Sequence, residues 1–101
     1  MVIVAGEVVV ESAAIDAVRD ALRTMETETR KEPGCVTYAF SVDINDPNMM
    51  RVFEVWESME ALRKHFGMPH MATFGTAVAK IQPKSVTVKA FEIDKEVQIP
   101  R

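Results

Sequence analysis

A chain of 101 residues has room for about one ordinary domain and none for a separate cofactor-binding unit. Its 48% hydrophobic and 27% charged residues suit a folded globular protein, and no apolar run approaches the roughly 18 residues that cross a bilayer, so no membrane partner is expected. A net charge of -3 without a basic cluster argues against a nucleic-acid partner, and one Cys allows neither an internal disulfide nor a thiolate-rich zinc site.

The opening MVIVAGEVVV has no basic flank and no small-residue cleavage site, so it reads as a strand rather than an export signal, with a cytoplasmic location as the default. Val2 to Val10 is rich in β-branched residues, and Gly6 within it marks a bulge or the close approach of another group. Ser12 is placed to cap a helix whose Ile15, Val18, Leu22 and Met25 form one apolar stripe opposite Asp16, Arg19, Asp20, Arg23 and Glu26. Pro33-Gly34 stops that helix. A second strand, Cys35 to Asp43, follows, with Val36, Tyr38, Phe40 and Val42 on one side.

The polar cluster Asp43 to Asn48 turns the chain into a third strand, Met49 to Glu57, giving a hairpin. Ser58 can cap a short helix that runs to Phe66, and Gly67 and Pro69 break it before a further helix carrying Met71, Phe74, Val78 and Ile81 on one face. Ser85 to Ile93 is the fourth strand, followed by a charged tail. Strand-helix-strand twice over is a ferredoxin-like α+β plan with an antiparallel sheet, residues 1–95 forming the domain and 96–101 the tail. Helices in that plan cover one sheet face only. Strands one, three and four carry Val, Ile, Phe or Met on both sides, so an apolar face is left over, and a homodimer burying sheet against sheet is the simplest cover.

The only Trp, the only Tyr, the only Cys and both His fall between residues 32 and 74. Within that stretch stand EPGC-x-x-Y at Glu32–Tyr38, E-x-W-E-S at Glu54–Ser58 and H-x-x-x-P-H-M at His65–Met71. In order and spacing these resemble the antibiotic biosynthesis monooxygenase family, and the resemblance covers nearly the whole chain. It implies a small dimeric α+β barrel. It also implies, for some members, oxidation of quinols or anthrone-like polyketides by molecular oxygen without metal or flavin; other members degrade heme or isomerise a phosphorylated signalling sugar. The heme-degrading relatives carry a Trp where this chain has His65 and an Asn near its Ala5-Gly6, so heme is disfavoured.

A cofactor-free oxygenase needs a substrate that becomes the electron donor once deprotonated, together with a base, oxyanion donors and a dry apolar pocket. No cofactor motif is present, which fits that reading and equally fits a protein without catalysis. His65 and His70 are the only side chains that ordinarily titrate near neutrality. His70, at the start of a new helical segment, is the better base, with packing at the helix break as its structural alternative. His65 near a helix end suits a dipole-compensating role. Trp56 offers a stacking surface and one N–H, or a large core side chain. The catalytic candidates are therefore His70, Trp56 and His65.

Glu54 is either a base with a raised pKa or, preferably, an ion-pair partner of Arg51, Arg63 or a residue across the dimer. Tyr38, Glu54, Met68, Met71 and Phe74 are candidates for contacting a small aromatic substrate, although Met is also ordinary core filler. Cys35 has no adjacent base and is not expected to act as a nucleophile. No metal site is expected, because the two His are separated by a helix break and only Glu60 lies beside them in sequence. Two further function classes stand beside the oxygenase: an isomerase of a small phosphorylated carbonyl compound, which a Lys or Arg cluster near Arg63 and Lys64 would favour, and a non-catalytic ligand-binding protein, which a solid core would favour.

Overall fold

The computed structural model describes residues 1–101. Its elements are β1 (Val2–Val9), α1 (Ser12–Ala17), α2 (Arg19–Thr29), β2 (Cys35–Val42), β3 (Met49–Trp56), α3 (Met59–His65), α4 (Pro69–Ala79) and β4 (Ser85–Glu92). The four strands form one sheet in the order β2-β3-β1-β4, with every neighbouring pair antiparallel. This is the ferredoxin-like α+β arrangement, and the β-branched strands and amphipathic helices of the sequence account for it directly.

The period of two along β1 and β3 fixes which face is covered. Val2 lies opposite Trp56, Val4 opposite Glu54 and Val8 opposite Met50. Val2, Val4, Met50, Glu54 and Trp56 are all buried beneath the helices. Val2, Val4, Met25, Tyr38, Trp56 and Leu62 make one core cluster, and Val10, Ile15, Leu22 and Met50 make a second. Each fully buried apolar side chain of this size contributes about 1.5–3 kcal/mol, so these ten residues hold the helices on the sheet. Met25 and Met50 belong to them as plain core.

Several local expectations are revised. The first helix is interrupted at Val18, whose backbone (φ -111, ψ 13) leaves the helical range. Ser12 is not a cap: Glu11 occupies that position, and the Ser12 N–H donates to Asn48 Oδ1 at 2.9 Å. Ser58 does cap α3, accepting from the Ala61 N–H at 3.1 Å. In β2 the pairing jumps between Cys35 and Thr37, so Val36 bulges and is half exposed while Cys35 turns toward the core beside Tyr38. Gly6 marks close approach and not a bulge, since a Cβ there would lie 2.7 Å from Val52 Cγ1.

The opposite sheet face is bare. Phe53 and Phe91 are about half exposed there, beside Ala5, Ile3 and Val55, with the Glu7–Arg51 pair at its margin. All eight residues of β4 are exposed. Val86 and Val88 face the helix side, opposite Val8 and Gly6, yet no helix reaches them. No helix is long and apolar enough to cross a membrane.

Candidate functional site

The turn between α2 and β2 positions the first acidic group. Gly34 has φ +87, and a Cβ on it would stand 2.6 Å from Ala61 Cβ, so only glycine permits this turn to close on α3. The Glu57 N–H donates to the Gly34 carbonyl at 2.8 Å and fastens the same turn to the end of β3. Glu32, two residues earlier, is thereby carried under α3 and buried to 8% exposure.

From the other side come the two imidazoles. His65 ends α3, where a ring at the helix C-terminus is held by packing and is only 1% exposed. The chain then passes through extended Met68 (ψ 145) into Pro69, whose fixed φ opens α4, and this places His70 in the first turn. Glu32 Oε2 lies 2.8 Å from His65 Nδ1 and 2.7 Å from His70 Nε2. One carboxylate oxygen thus joins both histidines, while its Oε1 is buried without a partner.

A second acid stands behind His65. Glu54 Oε1 accepts from Trp56 Nε1 at 2.9 Å. The Trp56 ring centre is 4.9 Å and the Tyr38 ring centre 5.6 Å from that of His65, which is 6.1 Å from that of His70. Burial is the chief force raising the Glu54 pKa, opposed by the Trp56 N–H and the neighbouring His65. Burial likewise pushes the Tyr38 phenol upward, helped by Glu54 and Glu32, and it raises the Cys35 thiol. Cys35 is therefore held further from the reactive thiolate.

Within the chain neither Arg51 nor Arg63 pairs with Glu54. Arg51 instead bridges Glu7 at 3.2 Å and Asp43 at 2.6 Å at the surface, because its side chain leaves the sheet on the face opposite Glu54. Neither Glu32 nor Glu54 meets Lys or Arg, and Glu32 has only the two histidines as charge partners.

His65, His70, Trp56, Tyr38 and Glu54 therefore converge, although far apart in sequence. Trp56 is 0% exposed and its N–H is spent on Glu54, so the indole supports the site from beneath. Met71 and Phe74 pack against the core, and Phe74 stacks on Phe40 at 5.5 Å. A cleft of about 260 Å³ between α2 and α4 is lined by Met25, Phe74, Thr24, Thr73 and His70. A second cleft, of about 280 Å³, lies behind the Glu32–Gly34 turn and is lined by Met68, Lys64, Glu57 and Glu60.

Glu32 is the residue that sequence reasoning passes over as part of a turn. Its signal is an acid immediately before the Pro-Gly that ends α2, at a point where the chain must pass beneath another element. Glu60, the neighbour considered for a metal, pairs with Lys64 at 3.6 Å on the surface. Glu32 stands where a third ligand would be needed, and its oxygen and the two imidazole nitrogens lie within 4.8 Å of one another.

The family model for antibiotic biosynthesis monooxygenase matches residues 1–77. The chain belongs to the antibiotic biosynthesis monooxygenase family. All of β1–β3 and the Glu32, Glu54, Trp56, His65 and His70 cluster fall inside that match. Over 79 residues, 76% of this chain and 77% of the relative, it is 35% identical to the Mycobacterium tuberculosis protein named "Putative monooxygenase Rv0793". The solved structure of Rv0793 superposes with a TM-score of 0.83 at 28% identity, covering 96% of this chain and 98% of that one.

A Deinococcus radiodurans structure described as an antibiotic biosynthesis monooxygenase of the putative kind has a TM-score of 0.90 at 24% identity, each chain covered in full; at that identity the likeness is one of fold. The Synechocystis protein sll1783, uncharacterized by name, is 29% identical over 92 residues. The match takes in 91% of this chain and 63% of that relative, so this family member spans about three fifths of sll1783.

Proposed function

We propose that this family member is a cofactor-independent monooxygenase that oxidises a quinol- or anthrone-like aromatic substrate with molecular oxygen. The observation that carries the reading is the Glu32 carboxylate shared by His65 and His70, with His70 opening on the apolar α2–α4 cleft. A flat ring held against Met25 and Phe74 would present its acidic O–H or C–H to His70. With Nε2–H donated to Glu32, His70 carries its lone pair on Nδ1, and the carboxylate stabilises the imidazolium formed when that nitrogen takes the proton.

The deprotonated substrate is the reductant. It passes electrons to oxygen, the new C–O bond forms at the ring carbon, and the peroxide collapses: a methylene plus O2 becomes a carbonyl plus water. The substrate supplies all four electrons, so the balance closes without another reductant. Glu32 also gives the proton a route inward to His65, whose ring is dry against Trp56 and Tyr38.

The isomerase reading has less support, because the cleft beside Lys64 is walled by Glu32, Glu57 and Glu60, an unfavourable setting for a phosphate. The homodimer belongs to the same proposal. The bare sheet face with Phe53 and Phe91 is the surface a second copy would cover.

Oxygen uptake by purified, metal-stripped protein with a panel of anthrones and quinols tests the activity. Consumption above the buffer rate is expected, falling by about 10²–10⁴ in His70→Ala. Uptake equal to buffer across the panel sinks the reading.

A further inference from the structure

We infer that Glu32, His65 and His70 form a binding site for one divalent transition-metal ion, taken up in place of the two protons that now lie between the carboxylate and the imidazoles. The inference rests on this geometry and is independent of the oxygenase reading. Two imidazoles and a carboxylate are the donor set that zinc, cobalt(II), nickel(II) and iron(II) accept. The three ligand atoms, Glu32 Oε2, His65 Nδ1 and His70 Nε2, lie within 4.8 Å of one another. Metal–nitrogen and metal–oxygen bonds of about 2.0–2.2 Å set tetrahedral ligand atoms about 3.4 Å apart, so Glu32 would withdraw by well under 1 Å from its present 2.7 and 2.8 Å contacts and the two imidazole rings would turn toward each other to bring their nitrogens within that reach.

Three further observations point the same way. Glu32 Oε1 is buried with no hydrogen-bond partner, and a cation would satisfy it by bidentate ligation. The cluster holds two buried acids, Glu32 and Glu54, and no Lys or Arg pairs with either, so positive charge is lacking where it would stabilise most. An entry path exists: the His70 side chain is 17% exposed and lines the α2–α4 cleft.

His65 is fixed at the end of α3, His70 in the first turn of α4, and Glu32 by a turn that only glycine can make. With the ion on Nε2, the His70 imidazole would carry its own proton on Nδ1, the nitrogen proposed to take the substrate's proton. Metal-loaded protein would thus be the resting form of the proposed base.

The whole chain, stripped with chelator and titrated with Co²⁺, then Zn²⁺, gives the test by equilibrium dialysis and visible absorption. One ion per chain is expected, with cobalt d–d bands of a four- or five-coordinate site that zinc abolishes. His70→Asn and Glu32→Gln should each weaken binding at least tenfold while keeping the wild-type circular dichroism. Glu57→Gln/Glu60→Gln, in the neighbouring acidic cleft, should leave it unchanged. Stoichiometry well below one, unaltered affinity in both His70→Asn and Glu32→Gln, or loss of binding in the acidic-cleft variant would each overturn the inference. None of these readouts depends on oxygen uptake.

Discussion

The helix-covered side of β1–β3 and the strand β4 belong to one sheet yet have opposite fates. Over the first, Val2, Val4, Trp56 and Tyr38 are sealed, and even two carboxylates are drawn inside. Over the second, Val86 and Val88 remain more than half exposed although they sit on the helix-facing side, and every residue of β4 is exposed. Apolar content does not separate the two regions; coverage does. The helices span only part of the sheet, so the buried region is complete within one chain, while β4 and the bare face beside Phe53 and Phe91 are left uncovered by the chain itself.

The contrast is broken most severely from inside. Trp56→Ala removes a side chain with no exposed surface and leaves Glu54 without its donor. A loss of about 3–5 kcal/mol is expected in denaturant unfolding, and a loss under 1 kcal/mol would show that the cluster is not a packed unit.

Glu54 offers a smaller and pH-dependent effect. Its folded-state pKa is raised above the ordinary 4.5, chiefly by burial. Its contribution to stability is therefore complete below that ordinary value and is lost as pH climbs through the raised folded value. Glu54→Gln keeps an acceptor for Trp56 but cannot ionise, so its stability relative to wild type should rise with pH across this window. A difference that stays constant with pH would contradict the burial argument.

The outer region should respond in the reverse manner. Phe53→Asp and Phe91→Asp alter half-exposed side chains, and each should change the stability of the isolated chain by no more than about 0.5 kcal/mol. Both should nonetheless shift sedimentation from a dimer to a monomer. A wild-type chain that sediments as a monomer would remove the reason for the bare face.

Most of this division was legible in the residues. The Val-rich β1, the hairpin of β2 and β3, the helix break at Gly67-Met68-Pro69 and the surplus of apolar strand faces all follow from period and turn chemistry. The site was legible in its members but not in its connections. His65 and His70 were visible as titratable groups and Glu54 as an acid beside Trp56. That Trp56 would claim Glu54, and that Glu32 would reach both histidines, depends on the α2–β2 turn closing against α3, a contact between residues about thirty positions apart. The break at Val18 and the bulge at Val36 were hidden for a related reason: tertiary packing overrode a local period that looked continuous.

In the proposed mechanism, Glu32 makes an imidazole at this site into a competent base. Steady-state oxygen consumption by Glu32→Gln and by wild type, with whichever anthrone or quinol the wild-type protein oxidises, tests it most directly. As a positioning residue that never touches substrate, Glu32 should, when replaced, lower kcat by about 10²–10⁴ with KM nearly unchanged and the fold intact by circular dichroism. A folded Glu32→Gln protein that turns over at the wild-type kcat would contradict the account.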